Sequence, residues 1–493
     1  MSRRSPVRPK WSSSASVRKT SISRRSIRLT LSVDAGSVVV RRFRRAEGGV
    51  MTEFLFPSDP RFDAECVGYN LSVTHRPDLV VPASTVEDVI DGVRFAAERG
   101  LGIAVQATGH GPSLPADGGV LIRTSGLDAV EIDPVRRIAR VGAGVRGGDL
   151  VRAAAAHGLA PVNGSSPEVG VIGYHLGGGV GILGRALGWA VDHVRALDVV
   201  TADGAVRRAS ATEEPELFWA LRGAGRGTLG VVVGMEVALH PISRLYGGGM
   251  HFAAEDVERA LRAWAEWTQT VPEAMGTSAL LIRMPDLPQL PDALRGRSVL
   301  HLRFAFTGSA DEGARLVQPF RDLDPATDTV AEMPYAEVGS IHAEPTAPVP
   351  FHGRNTVLAS LDPAAISTLL RHAGPEAAAP YLVELRLLGG ALARPAAVPS
   401  AIGRRDGAFV LYAGGAAHGD GAPALGSALA GLIGDMSPWS TGGVLASFLS
   451  GPGVTRAELA TAYLPEDTAR VERIKRAVDP HDLFRAHHGR ADG

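Results

Sequence analysis

The chain has 493 residues, 45% hydrophobic and 21% charged, with a formal net charge of −1; this exceeds the length at which single hydrophobic cores stop growing, so at least two domains are expected. No uninterrupted apolar run reaches about 18 residues, which argues against a membrane-spanning helix, and the single cysteine, Cys66, rules out an internal disulfide framework or a multi-cysteine metal site and fits a reducing, cytoplasmic compartment. Residues 1–50 carry thirteen Arg or Lys against Asp34 and Glu47, a charge of +11 that leaves −12 on residues 51–493, so the body is a poor nucleic-acid binder.

The first 50 residues are rich in Ser and Arg, lack helical or strand periodicity, and read as a structureless basic segment. Three explanations stay open. The preferred one is an over-long reading frame, because Met51-Thr-Glu-Phe54 begins where the composition turns globular. Ser23-Arg-Arg-Ser-Ile-Arg-Leu29 resembles a twin-arginine export signal, which would place the protein outside the cytoplasm, but Asp34 follows and both an apolar core and an Ala-x-Ala site are missing. A basic arm for nucleic acid is the third, with no partner domain to serve.

From Pro82 the pattern alternates. Thr85 or Ser84 caps a helix over 85–99 whose apolar positions Val86, Val89, Ile90, Val93 and Ala97 share one face. Strands are expected at 102–106, 119–123, 129–132 and 137–141, then a helix over 149–157 stopped by Gly158. Gly142-Ala-Gly144-Val-Arg-Gly147 satisfies a dinucleotide fingerprint between a strand and a helix, but no acidic residue ends a second parallel strand about 20 positions on, so it reads as a glycine-shaped turn rather than a nicotinamide site. Asp203-Gly204 turns a hairpin, Thr212 opens a short helix with a capping pattern, and 231–239 is an apolar strand. Beyond His240 the composition changes. Residues 51–242 form a first domain and 243–425 a second, an antiparallel sheet backed by helices such as 255–269 and 310–323; residues 426–493 return to the first through a helix over 465–478. Glu344-Pro-Thr-Ala-Pro-Val-Pro350 reads as a loop at the rim of the second domain.

Two stretches carry chemistry. An apolar run, Gly102-Ile-Ala-Val105, ends in Thr108-Gly-His-Gly-Pro-Ser113 and presents His110 on a loop whose small residues let a ligand approach. About fifty residues later, Asn163-Gly-Ser-Ser-Pro-Glu-Val-Gly170 runs into Gly173, Gly177, Gly178 and Gly181, too many glycines for regular structure and enough to bring backbone amides against phosphate or a flat ring.

On these residues the chain resembles the flavoproteins of the vanillyl-alcohol oxidase class, with a PCMH-type FAD-binding domain, and within it the berberine-bridge-enzyme-like oxidases. Arg76-Pro-Asp-Leu-Val-Val-Pro82 is similar to the entrance of the flavin domain, Gly109-His110 to the loop whose His bonds the flavin, Ser166-Pro-Glu-Val-Gly170 to a Cys-Pro-Thr-Val-Gly loop, Leu217-Phe-Trp-Ala-Leu-Arg-Gly223 with Gly230-Val-Val232 to the adenine-side segment, and Asp479-Pro-His-Asp-Leu-Phe-Arg485 to the closing motif. The resemblance implies an α+β fold of two α/β subdomains plus a substrate domain. It also implies an FAD site built from Thr108, Gly109, His110, Gly111, Pro112, Ser113, Ser166, Pro167, Val169, Gly170, Gly173, Gly177, Gly178, Gly181, Gly230 and Val232. The second attachment point, a Cys in the family, is Ser166 here, so one covalent bond through His110 is expected. Val169 stands where the family gates oxygen, and a small side chain there is similar to the oxidases; Ile172 replaces a usual glycine beside it.

The family's Tyr-x-Asn-Phe strand reads Leu445-Ala-Ser-Phe448 here, and the Asn-Gln after the closing motif is His487-His488. The usual tyrosine is therefore missing. Glu384 and Arg386 alternate on a strand that the resemblance lays over the flavin. Glu384 is the expected base, Arg386 the group that keeps it ionised or anchors an acidic substrate, and His487 a further candidate near the ring. His352 and Arg354 are weaker candidates for substrate contacts, and Tyr174 and His175 could lie by the ring or simply pack. The expected activity is FAD-dependent removal of a hydride from a CH–OH or CH–NH carbon of a small or secondary-metabolite substrate, with O2 reduced to H2O2. An oxidative cyclase or desaturase, and a flavin-containing protein that sequesters a drug-like compound, are the alternatives.

Overall fold

The alternation of apolar and polar residues resolves into three principal sheets, with two small ones among the described residues near the N-terminus. The computed structural model describes residues 52–485 except 112–114, 289, 293, 378, 418 and 420, together with four short strands between Arg28 and Arg44. Leu79–Pro82, Val120–Arg123 and Ile103–Gln106 form a parallel sheet in that spatial order. Helix Val86–Arg99 lies on it, opened by a full capping box between Thr85 and Asp88 and closed by Gly100 in the left-handed region. Val89, Val93 and Ala96 bury against Leu79, Val81, Val120 and Ile122.

A five-stranded antiparallel sheet follows, in the order Val206–Ser210, Val194–Val200, Val231–Ala238, Ile138–Gly142, Val130–Asp133. Ile138–Gly142 is antiparallel to both of its neighbours, which removes the parallel βαβ unit a nicotinamide fingerprint needs. A Cβ on Gly142 would lie 2.2 Å from the Leu127 carbonyl and one on Gly144 2.4 Å from that of Ser125, so these glycines serve backbone packing.

The third sheet has eight strands. Thr327–Asp328, Arg244–Phe252, Ser298–Phe306, Met275–Arg283, Leu382–Leu387, Phe409–Ala416 and Phe351–Leu358 run in that order, and Ala331–Pro334 also pairs with Arg244–Phe252. One face is apolar: Leu300, Leu302, Phe304, Val383, Leu385 and Leu411 pack under helices Val257–Trp267, Ala310–Arg321, Pro363–Ala373 and Gly421–Asp435. The molecule is α+β.

Three sequence expectations change. Helix Gly421–Asp435 straddles residue 425, and its Leu425, Leu429 and Leu432 sit in the core of the large sheet; apolar burial therefore carries this whole helix to that sheet rather than ending a domain inside it. Helix Pro215–Ala224 starts at Glu214 with φ 47° and no side-chain cap, because the Ser210 hydroxyl, not Thr212, takes up the amides of Thr212 and Glu213. Within the segment read as structureless, Arg41–Arg44 pairs with Thr52–Phe54 and with Arg28–Leu29, and Val33–Asp34 with Ser37–Val38, since an edge strand's free backbone groups accept any extended neighbour; the rest of residues 1–51 lies outside the described residues.

Candidate active site

The loop after strand Ile103–Gln106 brings His110 against two partners. Its Nδ1 lies 2.9 Å from the Thr108 hydroxyl, which also accepts from the Gly170 amide at 3.3 Å, so one threonine ties together the two stretches singled out in the sequence. Tyr69 stacks on the imidazole with ring centroids 3.7 Å apart. The remaining nitrogen, Nε2, is buried and has no hydrogen-bond partner among the described residues. Burial first, and Arg146 second, push the His110 pKa down to about 4, which keeps the ring neutral.

Gly109 permits the turn. It stands at φ 72°, and a Cβ there would meet Gly68 Cα at 2.6 Å. Gly111 and Gly177 make room for Arg226: a Cβ on Gly111 would touch its Nη2 at 2.6 Å, and one on Gly177 its Cδ at 2.8 Å. Half-buried Arg226 donates to the Gly111 and Ala446 carbonyls. Burial lowers its pKa, the nearby Tyr463 partly offsets this, and no carboxylate pairs with it among the described residues. A guanidinium so placed lacks a counter-anion. Sequence reading missed it; the signal was an Arg interrupting the glycine run Gly223–Gly230.

The other glycine-loop residues spread out. Ser166 is buried, and its hydroxyl has no partner among the described residues. The Pro167 and Val169 carbonyls accept from the Gly148 and Gly147 amides, and Gly170 precedes helix Val171–Leu176. Gly173 faces open space, Gly178 lies against Ile402 and Trp189, and Gly181 lies against the Asn163 carbonyl. Gly230 packs on Val199 and Val200, and Val232 is in the apolar core. The Tyr174 hydroxyl and His175 Nε2 are buried without partners among the described residues, His175 Nδ1 being used by the Val171 carbonyl. Pro112, Ser113 and His487 lie outside the described residues.

Opposite this loop stands the polar face of the large sheet. Glu384 accepts from Arg386 Nη2 at 3.0 and 3.2 Å and from Arg303 Nη1 at 3.1 Å, with His342 Nδ1 at 3.7 Å. All four side chains are buried. Burial alone would raise the Glu384 pKa; Arg386 and then Arg303 outweigh it and hold the carboxylate far below the usual range. Arg386 also donates to the Val180 carbonyl at 3.2 Å, crossing from the sheet to the glycine run, and faces the Phe448 ring at 5.4 Å. Cross-strand register places Glu384 beside Tyr412 and Arg386 beside Ser278, while Arg303, on a strand 81 residues away in sequence, was not foreseen.

His352 and Arg354 are not drawn into this face. Arg354 donates to the carbonyls of Gly353, Ser450 and Pro452 and lies 3.6 Å from Glu458; strand alternation turns both residues away from the face that carries Glu384. Ala446–Phe448 is a 3-10 turn, preceded by extended Leu445, rather than part of a strand.

Residues 77–210 match the family described as FAD binding domain. The (R)-6-hydroxynicotine oxidase of Paenarthrobacter nicotinovorans is 32% identical over 88% of this chain and 96% of its own length. The chain belongs to the FAD-linked oxidases of the berberine-bridge-enzyme-like family. Among solved structures, 6-hydroxy-D-nicotine oxidase from Arthrobacter nicotinovorans superposes with a TM-score of 0.78 at 26% identity, covering 90% of this chain and 99% of that one. The xylooligosaccharide oxidase from Myceliophthora thermophila shares the fold, with a TM-score of 0.77 at 23% identity over 90% of this chain and 98% of that one. This oxidase is thus an FAD-dependent enzyme. The residues present fit FAD: unpartnered polar atoms of His110, Ser166, Tyr174 and Ser447 and an uncompensated Arg226 are what a bound dinucleotide would satisfy.

Proposed function

We propose that the oxidase removes a hydride from a CH–NH or CH–OH carbon of a small substrate, that FAD is joined covalently to His110 alone, and that O2 is the final acceptor and leaves as H2O2. The observation that carries this reading is the free, buried Nε2 of a neutral His110, held in one orientation by Thr108 and Tyr69. A neutral imidazole keeps a lone pair for bond formation, and Ser166 offers a hydroxyl where a thiol would be needed for a second bond.

When bound, FAD supplies the two-electron acceptor chemistry. The protein supplies position. Thr108, Gly109 and Gly111 would hold it with Ser166, Pro167, Val169 and Gly170 on the ring side, Gly177, Gly178 and Arg226 toward its charged part, and Gly230 and Val232 at the far end. Pro112, Ser113, Gly173, Gly181 and His487 are carried as candidates by sequence resemblance. Arg386 and Arg303, locked by Glu384, form the wall where a substrate would lie, and the buried, water-poor face strengthens every contact there. The relative's own substrate, 6-hydroxynicotine, makes a cyclic amine the first compound to try.

The test uses purified protein. Its visible spectrum should be that of a flavin, the colour should stay in the acid-precipitated pellet, and a panel of cyclic amines and reducing oligosaccharides should include a member that bleaches it without air and consumes O2 with equal H2O2 release. Turnover only with artificial acceptors would make it a dehydrogenase; a colourless protein that FAD does not reconstitute would sink the reading.

A further inference from the structure

We infer that Glu344, not Glu384, takes the proton from the substrate's N–H or O–H as the adjacent carbon is oxidised, and that Glu384 is a fixed anion which positions the two arginines. This rests on the oxidation reading above.

The first ground is placement. Residues 342–345 are pinned at both ends of the site: the His342 carbonyl accepts from Arg303 at 3.4 Å, and the Pro345 carbonyl accepts from the Tyr69 hydroxyl at 2.6 Å, the same Tyr69 that stacks on His110. Between these anchors Ala343 sits at φ 48°, a left-handed conformation that a residue with a Cβ adopts only where surrounding structure enforces it. Next to it, half-buried Glu344 reaches the Ser165 hydroxyl, one residue before Ser166. Its carboxylate therefore lies in the gap between the flavin loop and the polar face of the large sheet.

The second ground is the contrast between two carboxyl groups in one field. Glu384 is surrounded by donors, and accepting a proton would leave two buried guanidiniums without their anion. Glu344 forms no ion pair among the described residues and feels the arginines only at a distance. Burial raises its pKa; Ser165 lowers it, the charge of Glu384 raises it, and Arg386 and Arg303 lower it, the balance lying on the raised side. Tyr69 and Tyr412 are the other titratable groups that feel its charge. Neighbouring carboxyls pushed apart in this way divide their roles, and the one nearer the working pH is suited to move a proton.

The balance is complete. The C–H and X–H bonds of the substrate break and a C=X bond forms, where X is N or O; the hydride goes to FAD and the proton to a Glu344 oxygen, from which water removes it after product leaves.

The experiment compares wild type, Glu344→Gln, Glu344→Asp and Glu384→Gln, with flavin spectrum and thermal midpoint as checks on folding. Anaerobic bleaching by the panel member identified above is followed from about pH 5 to about pH 9. In wild type the rate should rise with pH to a plateau. Glu344→Gln should be slower by about 10²- to 10⁴-fold with the acid limb gone, and Glu344→Asp should restore part of the rate with the limb displaced. Independently of turnover, the infrared band of a protonated carboxyl that titrates in wild type should be missing in Glu344→Gln and kept in Glu384→Gln. A Glu344→Gln enzyme that keeps both rate and acid limb, or keeps the band, overturns the assignment alone. Failure of every panel member to bleach the wild-type flavin removes the oxidation reading and this role with it.

Discussion

Tyr69 lies face to face with His110, ring centroids 3.7 Å apart and planes 12° from parallel, while its hydroxyl is fixed on the Pro345 carbonyl. The imidazole is oriented by stacking and by Thr108. Charge plays little part, since burial keeps the ring neutral. Flavin attachment should therefore be lost entirely in His110→Ala and lowered severalfold in Tyr69→Ala, as befits an aromatic pair worth about 0.5–1.5 kcal/mol. Flavin fluorescence in pellet and supernatant after acid precipitation reads both.

Arg226→Gln removes the guanidinium that faces Gly111 and Gly177 without disturbing an ion pair. A charge-assisted contact of about 1.5–3 kcal/mol should disappear, so that FAD binding weakens by about tenfold or more. In a His110→Ala background, fluorescence titration with FAD and with riboflavin separates the cases: FAD alone should suffer. Equal losses for both would show that Arg226 supports the loop and not the dinucleotide's charge.

Glu384→Gln leaves Arg303 and Arg386 buried without their ion-pair partner. Breaking such a pair costs about 3–5 kcal/mol, so the denaturant midpoint should fall markedly, more than for any exposed Glu. The pH sign follows from its lowered pKa: the folded state holds the carboxylate ionised while the unfolded chain protonates near pH 4.3, so this stability is present above about pH 4.3 and declines as pH falls below it. Glu384→Gln should lack that part of the acid-side decline.

Burial pushes His110, His175, His240 and His251 all down to about 4. The unfolded chain takes up protons on histidine near pH 6.5, so between about pH 6.5 and pH 4 the unfolded state binds more protons and stability drops as pH falls, by up to roughly 1.4 kcal/mol per pH unit for each ring. Melting curves across that window should show the slope, and His240→Asn, which removes the ring lying 3.1 Å from His193, should reduce it. A flat profile would contradict the buried, neutral state of these rings.

Gly109→Ala combines a left-handed backbone with a Cβ 2.6 Å from Gly68 Cα. The conformation alone costs about 1–2 kcal/mol, and the contact adds to it. The variant should fold less stably and come out of purification with reduced flavin content, measured by the ratio of visible to ultraviolet absorbance.

Local rules made much of this legible. The capping box at Thr85, the hairpin turn at Asp203-Gly204 and the alternation of Glu384 and Arg386 against Val383 and Leu385 all follow from side chains a few positions apart, and the structure has them where the sequence put them. What depended on register did not show. Arg303 meets Glu384 only because two strands flank Met275–Arg283 with Leu280 opposite both His301 and Glu384, a pairing no local pattern encodes. The glycine run misled in part: Gly164 and Gly179 are small because the Tyr174 ring presses on them, a demand that resembles ligand binding when only composition is visible. Glu344 looked like the start of a proline-rich rim because the turn at Ala343 leaves no signature in an alanine.

Ile103 opens the strand that leads to His110, and its amide donates to the Leu483 carbonyl at 2.7 Å, beside a parallel bridge to Phe484. Asp479 holds that returning segment through the amides of Leu483 and Phe484 and through Lys475. A contact between such distant parts of the chain is late and slow to form. During synthesis the strand bearing the His110 loop waits for residues as distant as Leu483 and Phe484 before it has this neighbour, and truncation before Leu483 should yield protein that is made but takes up less flavin, read from its visible absorbance.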